Sequence, residues 1–399
     1  METFKTIIIG GGAAGLFFAA TVNPHGGVLI LERQDRLGKK LSATGNGQGN
    51  LTNLAARTTP YFSFSADGEG RVRAVIERFD ERSLQNFIRS MGGAVVADER
   101  GRVYPASRQA SSVTDLLRYT ITSRSVRVEL GALAEKIEKT QGGFIVSANG
   151  KRYFAKTVLL CTGGKAAKNF GTDGLGYGLA KSFGHTLTPL YPSLVQLKTD
   201  TKYTKTLKGL RAAGAVVTAK AQGKTLARVK GDIIFTDYGV SGDAVFRLSA
   251  FLSGKETGAE LVVDLLPELT EEELVTALKA KRNALKDLSE SEIFCGILNN
   301  QMGRAVVKRV ESNEAQRLAA CAKAFTLPVT GTLGFDYAQV TKGGISLDEV
   351  DEDLQSKYAK GLYFAGEILD VDGECGGFNL QWAYSSARLV AETIDRGQV

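Results

Sequence analysis

The sequence predicts an α/β fold in which both ends of the chain build one parallel sheet and the middle of the chain is an insertion. Three observations predict it. A strand, a glycine-rich turn, a helix and a second strand occupy 6–33. Between about 190 and 340 the pattern changes to short alternating strands and then amphipathic helices, and afterwards an apolar strand and a long helix follow. At 399 residues the chain exceeds the roughly 250 to 300 residues that one core supports.

The first β-α-β unit reads TIIIGGGAAGLFFAATVNPHGGVLILER. In its GxGxxG pattern Gly10 permits a sharp turn, Gly12 lets the backbone approach a pyrophosphate, and Gly15 lets helix and strand pack closely. The helix N-terminus then faces two negative phosphates. Glu32 follows Gly10 by 22 residues, where its carboxylate can accept hydrogen bonds from ribose hydroxyls. A 2′-phosphate would be repelled there, so the site suits FAD or NAD rather than NADP.

A glycine- and asparagine-rich loop follows the second strand and reads GKKLSATGNGQGNLTN from 38 to 53. Two lysines, Lys39 and Lys40, precede small residues whose backbone donors are free to bind a ligand. Because open α/β sheets bind ligands at the carboxyl ends of their strands, we predict that this loop wraps a polar ligand. The alternative is a surface loop rich in turn-forming residues.

The composition limits the chemistry. The four cysteines are far apart and form no CxxC pair, which argues against a disulfide framework, a zinc site or paired redox cysteines: Cys161, Cys295, Cys321 and Cys375. The chain has two histidines, His25 and His185, which argues against a metal centre or a His-dependent triad. His185, beside a predicted helix C-terminus, is expected to be structural. The chemistry should therefore belong to a bound organic cofactor.

Charge and hydropathy suggest a compartment and partners. The start, METFKTIII, has no basic region or cleavage site, and no stretch approaches the roughly 18 apolar residues of a membrane span, so a cytoplasmic protein without membrane insertion is expected. The net charge is +7, but 151–231 holds 15 Lys and Arg against Asp173 and Asp200, a local net of +13. Such a segment serves solubility, or it indicates an anionic substrate, an acidic partner or nucleic acid.

The insertion has a β part and an α part. Its predicted strands are Val195–Lys198, Ala215–Ala219, Leu226–Val229 and Leu261–Leu265, typical of a small barrel or sandwich. Thr270 and Glu273 form a capping box, and amphipathic helices continue to about Phe325 and stop before Pro328. We expect the insertion to cover the cofactor and to shape a substrate cavity.

The C-terminal part returns to the nucleotide domain. An apolar strand in GLYFAGEILDVD ends on Ala-Gly-Glu, and the Gly-Gly turn of GECGGFNLQWAYSSARLVAETI opens a long helix at about Phe378. The amide donors and positive dipole end of this second helix would stabilise negative charge on a reduced flavin ring. An earlier strand, TVLLCTGG at 157–164, ends in small residues that would let the chain pass beside the cofactor.

Taken together, these motifs resemble the BaiN-type (BaiN/RdsA-like) flavoproteins, a bacterial family that includes bile-acid ene-reductases and aminoacetone oxidases. The resemblance runs nearly end to end and rests on GGGAAGL, LERQDRLGKKLSATGNGQGNLTN, GRVYPASRQASSV, CTGG, GTDGLGYGLAKSFGH, VTKGGI and GLYFAGEILDVDGECGGFNLQWAYSSARLVA. It implies a two-dinucleotide-fold (glutathione-reductase-like) FAD domain from 1–189 and 341–399. The implied insertion, 190–340, has a β-barrel part at 190–266 and a helical part at 267–330.

The resemblance also implies cofactor contacts. Matching positions for the adenosine, pyrophosphate and ribityl parts are Gly10, Gly12, Gly15, Glu32, Arg33, Lys40, Asn46, Asn50 and Thr52, and those near the ribityl chain and flavin ring are Gly366, Glu367, Gly377, Asn379 and Leu380. The motifs add the neighbouring positions Ala13, Ala14, Lys39, Leu41, Gly45, Ala134, Thr162, Gly163 and Gly376. One departure is that Gln48-Gly49 stands where the family commonly has Arg-Cys, which removes a cation and a thiol.

The function implied is hydride transfer by FAD to the β-carbon of an activated C=C in a small molecule, for example a steroid-like or anionic one, with NADH or NADPH as donor. No second GxGxxG follows a strand, so no separate nicotinamide domain is expected. Candidates for the proton donor flank the predicted cavity, and each could instead serve packing: Tyr191, Tyr337 and Lys342. Cys375 could be acidified near a helix N-terminus, or be packed and inert. The alternatives are an amine or aminoacetone oxidase that uses oxygen and, ranked third, a nucleic-acid-associated flavoprotein.

Overall fold

The computed structural model describes residues 1–397, except for the side chain of Tyr203. The chain forms two units: unit 1 is Met1–Tyr191 with the segment from Gln339 onward, and unit 2 is Pro192–Ala338. Each unit has its own hydrophobic core.

The regular elements are numbered along the chain. The strands before the insertion are β1 Glu2–Ile9, β2 Val28–Glu32, β3 Thr52–Asn53, β4 Tyr61–Phe62, β5 Val95–Ala97, β6 Arg102–Pro105, β7 Arg127–Leu130, β8 Ala134–Thr140, β9 Gly143–Ala148, β10 Lys151–Leu160 and β11 Tyr191–Ser193. The helices there are α1 Ala13–Thr21, α2 Gly68–Arg78, α3 Glu81–Ser90, α4 Ala110–Ser123 and α5 Gly176–Lys181. After the insertion come β18 Val340–Lys342, β19 Leu362–Phe364, β20 Asp372–Gly373 and α11 Phe378–Arg396.

The central sheet of unit 1 has the strand order β7-β2-β1-β10-β9-β8, and β19 pairs with the end of β10. Strands β7, β2, β1, β10 and β19 run parallel, whereas β9 and β8 continue as an antiparallel excursion from the first half of β10. Ile7, Ile8 and Ile9 of β1 are buried because helices cover both faces of a parallel sheet. The predicted α/β fold with both chain ends in one sheet is confirmed.

The C-terminal helix α11 packs on the first helix of the chain. Tyr384 of α11 meets Phe17 of α1 edge to face, with ring centroids 5.4 Å apart. Trp382 is 2 % exposed, and its indole N–H donates to the carbonyl of Gly366 at 3.2 Å. Such aromatic contacts explain why α11 is fixed although it lies far from α1 in sequence.

Unit 2 contains a closed six-stranded barrel of order β12-β15-β14-β13-β16-β17. Its strands are β12 Leu197–Thr199, β13 Arg211–Ala221, β14 Lys224–Phe235, β15 Gly239–Ser241, β16 Ala259–Asp264 and β17 Phe325–Thr332. Its helices are α6 Thr201–Thr204, α7 Asp243–Leu252, α8 Glu271–Ala284, α9 Asn300–Val310 and α10 Ala315–Lys323. The capping box of Thr270 and Glu273 is present at α8, as predicted.

One expectation for the insertion is wrong. The helical part, expected to run to 330, ends at Lys323, and Phe325 begins strand β17. Pro328 does not stop a helix: it lies in β17 opposite Glu260 of β16, and its carbonyl accepts the amide of Asp200. A strand that closes a barrel pairs with partners distant in sequence, and local periodicity cannot show those partners.

A buried carboxyl group anchors the segment after β4. Asp370 is fully buried, and its Oδ2 accepts hydrogen bonds at 2.8 to 3.1 Å from the backbone amides of Phe64 and Ser65 and from the hydroxyls of Ser63 and Ser65. Burial raises the pKa of Asp370. We therefore expect Asp370→Ala to lower the free energy of unfolding by about 3 kcal/mol, because four donors lose their acceptor.

Asp370→Asn keeps an acceptor oxygen and removes the charge. It is expected to stay within about 1 kcal/mol of the parent in urea unfolding. An equal loss of stability in the two variants would contradict the acceptor role of Asp370.

Candidate functional site

The turn between β1 and α1 has the shape of a phosphate-binding turn. Gly10 has φ +109°, and a Cβ on it would lie 2.7 Å from the carbonyl oxygen of Cys161. A Cβ on Gly15 would lie 2.1 Å from the Gly10 carbonyl oxygen. Gly12, the N-cap of α1, is different: nothing lies within 4 Å of an added Cβ. Packing therefore explains Gly10 and Gly15, whereas Gly12 faces open space at a helix N-terminus, beside Ala13 and Ala14 of the first turn.

Glu32 ends β2 beside this turn. Its Oε2 accepts the amide of Gly11 at 2.7 Å, and its Oε1 accepts the amide of Gln34 at 2.8 Å. A carboxylate offers about four acceptor positions, so two remain for other donors. The hydrogen bonds from these two backbone amides fix the orientation in which Glu32 could accept hydrogen bonds from ribose hydroxyls.

Two of the basic residues predicted to contact the cofactor are engaged with the protein. Arg33 binds the carboxylate of Asp173 at 2.8 Å and the carbonyl of Gly171, so it holds the loop before α5. Lys39 reaches back to Asp35 and Gln34. Their predicted role as cofactor contacts stays a prediction, and the structure adds a scaffolding role.

Lys40 joins two motifs that lie 327 residues apart. Its Nζ is 2.6 Å from Glu367 Oε2. The other carboxylate oxygen of Glu367 accepts the amide of Thr341 at 2.9 Å, and the Thr341 hydroxyl accepts the amide of Lys165 at 2.7 Å. The loops after β2, after β10 and after β19 are therefore tied together at the carboxyl ends of the parallel strands, where ligands bind in such sheets.

The loop after β2 combines anchored and available groups. Leu41 is 1 % exposed in the core, so its side chain is a packing group. Thr52 donates to Gln381 Oε1 of α11 at 2.5 Å, both fully buried. Gly45 and Asn46 have positive φ in the turn, and the carbonyl oxygen of the Asn50 side chain is buried without a partner. Sequence reasoning missed Gln381, because its partner Thr52 lies 329 residues away in the chain.

The N-terminus of α11 is shaped by glycines. Gly377 is its N-cap with φ +102°, and a Cβ there would lie 2.5 Å from the backbone of Thr52. Asn379 binds the amide and the carbonyl of Gly373, both at 2.9 Å. Gly376 lies in the same turn, and Leu380 packs partly against the core. The first amides of a 19-residue helix are thus presented beside the Thr52 loop.

Other predicted residues lie around the same sheet edge. Gly366 has φ +77° and approaches Ala14, Ala134 begins β8, and Thr162 with Gly163 follows β10. The Thr162 hydroxyl is buried without a hydrogen-bond partner, and so is that of Tyr177 in α5. Burial, together with Glu367 and Asp370, raises the pKa of Tyr177.

These observations fit FAD. Gly12 leaves space at a helix N-terminus for a phosphate, Glu32 keeps acceptor capacity for a ribose, and Asn50 and Thr162 carry buried oxygens that lack partners.

Sequence reasoning missed Tyr177, because a single tyrosine between glycines carries no functional signal in the sequence. Asp370 and Asp372 do carry a functional signal in the sequence, since LDVDG places two acids in an apolar segment.

The four catalytic candidates differ in their surroundings. Tyr337 is 60 % exposed in unit 2. Tyr191 lies beside Phe64 with ring centroids 6.2 Å apart. Cys375 is partly buried in the turn before α11. The ammonium group of Lys342 is 4.0 Å from Asp372 Oδ1 and 4.1 Å from the centroid of the Phe62 ring.

The basic segment 151–231 is divided between the two units. Six of its cations lie in unit 1, and nine lie in unit 2: Lys198, Lys202, Lys205, Lys208, Arg211, Lys220, Lys224, Arg228 and Lys230. Lys208, Arg211 and Lys230 pair with Asp237, Asp232 and Glu268. The segment is therefore not one continuous patch within either unit, although it makes the first part of unit 2 basic.

His185 is buried in unit 1 and makes two polar contacts there, as expected for a structural role. Its Nδ1 lies 3.2 Å from Glu349 Oε2, and its Nε2 lies 2.7 Å from the Ser356 hydroxyl. Burial lowers the pKa of His185 below 6.5, although Glu349 opposes the shift. As the pH falls through about 6.5, the unfolded chain binds this proton and the folded chain does not, so the folded state loses stability.

We expect His185→Gln to flatten this dependence. Between pH 6.5 and 5.5 the parent should lose up to about 1.4 kcal/mol more than the variant, measured as the free energy of urea unfolding. Parallel curves for the two proteins would show that His185 does not titrate differently on folding.

Two kinds of feature are absent from the described residues. No helix there is both long and apolar enough to cross a membrane. Among the same residues, no group of three or more His, Cys, Asp and Glu side chains could hold a metal ion.

A parallel sheet, a GxGxxG turn and a second helix N-terminus at the same sheet edge define a Rossmann-type, FAD-dependent oxidoreductase. The chain matches the family described as "HI0933-like protein Rossmann domain" over residues 4–393 and belongs to that family.

Individual relatives agree with this class. The chain is 36 % identical to the "3-dehydro-bile acid delta(4,6)-reductase" of Clostridium scindens, over 96 % of this chain and 97 % of that protein. It is 27 % identical to the "Ribosomal RNA dihydrouridine synthase" of Escherichia coli, over 99 % of this chain and 98 % of that protein. Among solved structures, the 3-ketosteroid delta1-dehydrogenase of Sterolibacterium denitrificans matches all of both chains with a TM-score of 0.56 at 14 % identity, which shows the shared fold. The resemblance to the BaiN-type flavoproteins is confirmed.

Proposed function

We propose that the protein reduces a C=C bond conjugated to a carbonyl group in a small molecule, with NADH or NADPH as electron donor. The observation that carries the proposal is the 36 % identity, over 96 % of the chain, to a protein named as a bile-acid delta(4,6)-reductase. Because the match covers both units, it includes the insertion expected to shape the substrate cavity.

Bound FAD supplies hydride in this class of reaction. The residues of the chain would bind and orient it: the turn at Gly12 and the N-terminus of α1 hold the pyrophosphate, and Glu32 holds the adenosine ribose. The amides at the N-terminus of α11, fixed by Gly377 and Asn379, would stabilise negative charge at the pyrimidine end of the flavin ring. An anionic substrate is favoured by the basic composition of 151–231.

The test is an anaerobic half-reaction experiment on the purified holoprotein. NADH or NADPH should bleach the flavin absorbance, and a panel of enones and enoates should restore it. Recovery with oxygen and release of peroxide, without recovery by any conjugated carbonyl compound, would favour the amine oxidase alternative instead.

A second candidate is reduction of uridine in RNA. The E. coli relative is named as a ribosomal RNA dihydrouridine synthase, and the C5=C6 bond of uracil is likewise conjugated to a carbonyl. In unit 2, Arg228 and Lys230 of β14 are directly opposite Thr218 and Val216 of β13, which alternate with buried residues and so face outward from the barrel. Cations on that face could neutralise phosphates.

A double variant that carries Lys224→Glu and Arg228→Glu tests the RNA candidate, since neither cation forms an ion pair within the described chain. RNA binding by the parent should fall steeply with salt, and the double variant should bind more weakly with a log–log salt slope smaller by about 2. Reduction of a small enone should be unchanged. RNA binding that is absent, or unaffected by salt, would exclude the RNA candidate.

A further inference from the structure

We propose that Lys342 is a catalytic residue whose ammonium group binds the carbonyl oxygen of the substrate and stabilises the negative charge that develops there. The inference rests on the proposed function, because it needs a substrate with a C=C bond conjugated to a carbonyl. It gives Lys342 a role distinct from proton donation to carbon.

Lys342 lies between two elements predicted to surround the flavin end of the cofactor. On one side, the preceding residue, Thr341, donates its amide to Glu367, which is paired with Lys40. On the other side, the ammonium group is 4.0 Å from Asp372 Oδ1.

Asp372 connects Lys342 to the N-terminus of α11. It directly precedes Gly373, whose amide and carbonyl are bound by the side chain of Asn379 in the first turn of that helix. Asp372 also lies opposite Phe62 in the antiparallel pair of β20 with β4. The position of Lys342 is thus fixed relative to the helix end that would face the flavin ring.

The surroundings of Lys342 suit a buried, charged ammonium group. Its side chain is 12 % exposed, and that of Asp372 is 2 % exposed. The Phe62 and Phe64 ring centroids lie 4.1 and 5.8 Å from Nζ, within the range of cation–π attraction. The carboxylate and the ring faces offset the cost of burying the ammonium group, which would be high for an isolated cation.

The same cluster offers an apolar wall for a planar substrate. Phe64 is 46 % exposed, and its ring lies beside that of Tyr191. The backbone amide of Phe64 is held by the buried Asp370 at 2.8 Å. An exposed aromatic side chain on a fixed backbone, next to a cation, fits a conjugated ring that carries a carbonyl group.

The chemistry requires a positive group at this oxygen. When hydride adds to the β-carbon, the electron pair of the C=C bond forms a new double bond to the carbonyl carbon, and the carbonyl π electrons move to oxygen. The resulting enolate oxygen is negative, and an ammonium donor would stabilise it. A proton from water or a side chain then adds to the α-carbon and restores the carbonyl group. Such electrostatic stabilisation is commonly the largest single contribution by which an enzyme lowers a barrier of this kind.

The experiment compares Lys342→Met and Lys342→Arg with the parent holoprotein. Lys136→Met is the matched control, because Lys136 is a 65 % exposed lysine that pairs with Glu138 on the surface of the same unit. Anaerobic reoxidation of the reduced protein by an enone should slow about 100-fold in Lys342→Met, partly recover in Lys342→Arg, and be unchanged in the control. Flavin reduction by the nicotinamide donor and FAD affinity should be unchanged throughout.

A binding measurement separates this inference from the proposed function. 4-Nitrophenol is a mimic of the enolate, since its phenolate is yellow and its phenol form is colourless. The parent should bind the phenolate, and Lys342→Met should bind it at least tenfold more weakly. If Lys342→Met loses FAD, Lys342→Gln carries the same expectations.

The possible outcomes are distinct. Equal phenolate affinity and equal enone rates in the parent and Lys342→Met overturn the role of Lys342, and so does failure of the parent to bind the phenolate. Failure of the parent to reduce any conjugated carbonyl compound, with Lys342-dependent phenolate binding intact, overturns the proposed function while supporting an oxyanion site at Lys342.

Discussion

Gly12→Ala is expected to give a folded protein that no longer binds FAD. Gly12 has φ −78° and ψ −163°, an extended conformation that alanine adopts freely, and an added Cβ meets nothing within 4 Å. The methyl group would instead occupy the space at the N-terminus of α1 where a pyrophosphate must approach the backbone. We expect FAD affinity to fall at least 100-fold, measured by fluorescence titration of the apoprotein, with the free energy of apoprotein unfolding within about 0.5 kcal/mol of the parent.

Two other glycines provide controls. Gly178→Ala in α5 also meets nothing within 4 Å, and should retain FAD and gain slightly in stability because alanine is the better helix former. Gly10→Ala should instead destabilise the apoprotein, since φ is +109° and the Cβ would lie 2.7 Å from the Cys161 carbonyl. If Gly12→Ala bound FAD as tightly as the parent, the pyrophosphate would not bind at the Gly12 turn.

Glu32→Gln is the second substitution with a large expected effect. Both carboxylate oxygens already accept a backbone amide, from Gly11 at 2.7 Å and from Gln34 at 2.8 Å. A glutamine must turn its NH₂ group towards one of these amides, so one donor loses its partner. The cost should be about 1 to 3 kcal/mol of stability, and FAD affinity should fall at least tenfold because fewer acceptors remain for the ribose.

Glu135→Gln is the matched control for Glu32. Glu135 is exposed on β8, so its substitution should leave both quantities unchanged. Chemical unfolding and FAD titration measure the two effects separately. If Glu32→Gln lost stability but kept full FAD affinity, Glu32 would be a structural support of the turn and not a ribose acceptor.

The sequence predicts the parts of the site that depend on short-range patterns. The GxGxxG turn at Gly10, the acid at the end of β2 and the Gly-Gly start of α11 are each encoded within a few residues, because turn conformation and strand length are local properties. The capping box of Thr270 and Glu273 and the apolar periodicity likewise predicted helices in the stretch of α8 to α10, whereas α6 and α7 lie in the stretch expected to form only strands.

The sequence by itself therefore determined the fold class, the type of cofactor and the general position of its binding motifs. The tertiary structure decided what depends on partners distant in the chain: that Phe325 begins a barrel strand, that Lys40 pairs with Glu367, and that Thr52 bonds Gln381. It also decided that Lys342 lies over Phe62 and beside Asp372. The physical reason is that a strand, an ion pair and a buried polar contact are stabilised by what packs against them, and no local pattern carries that information.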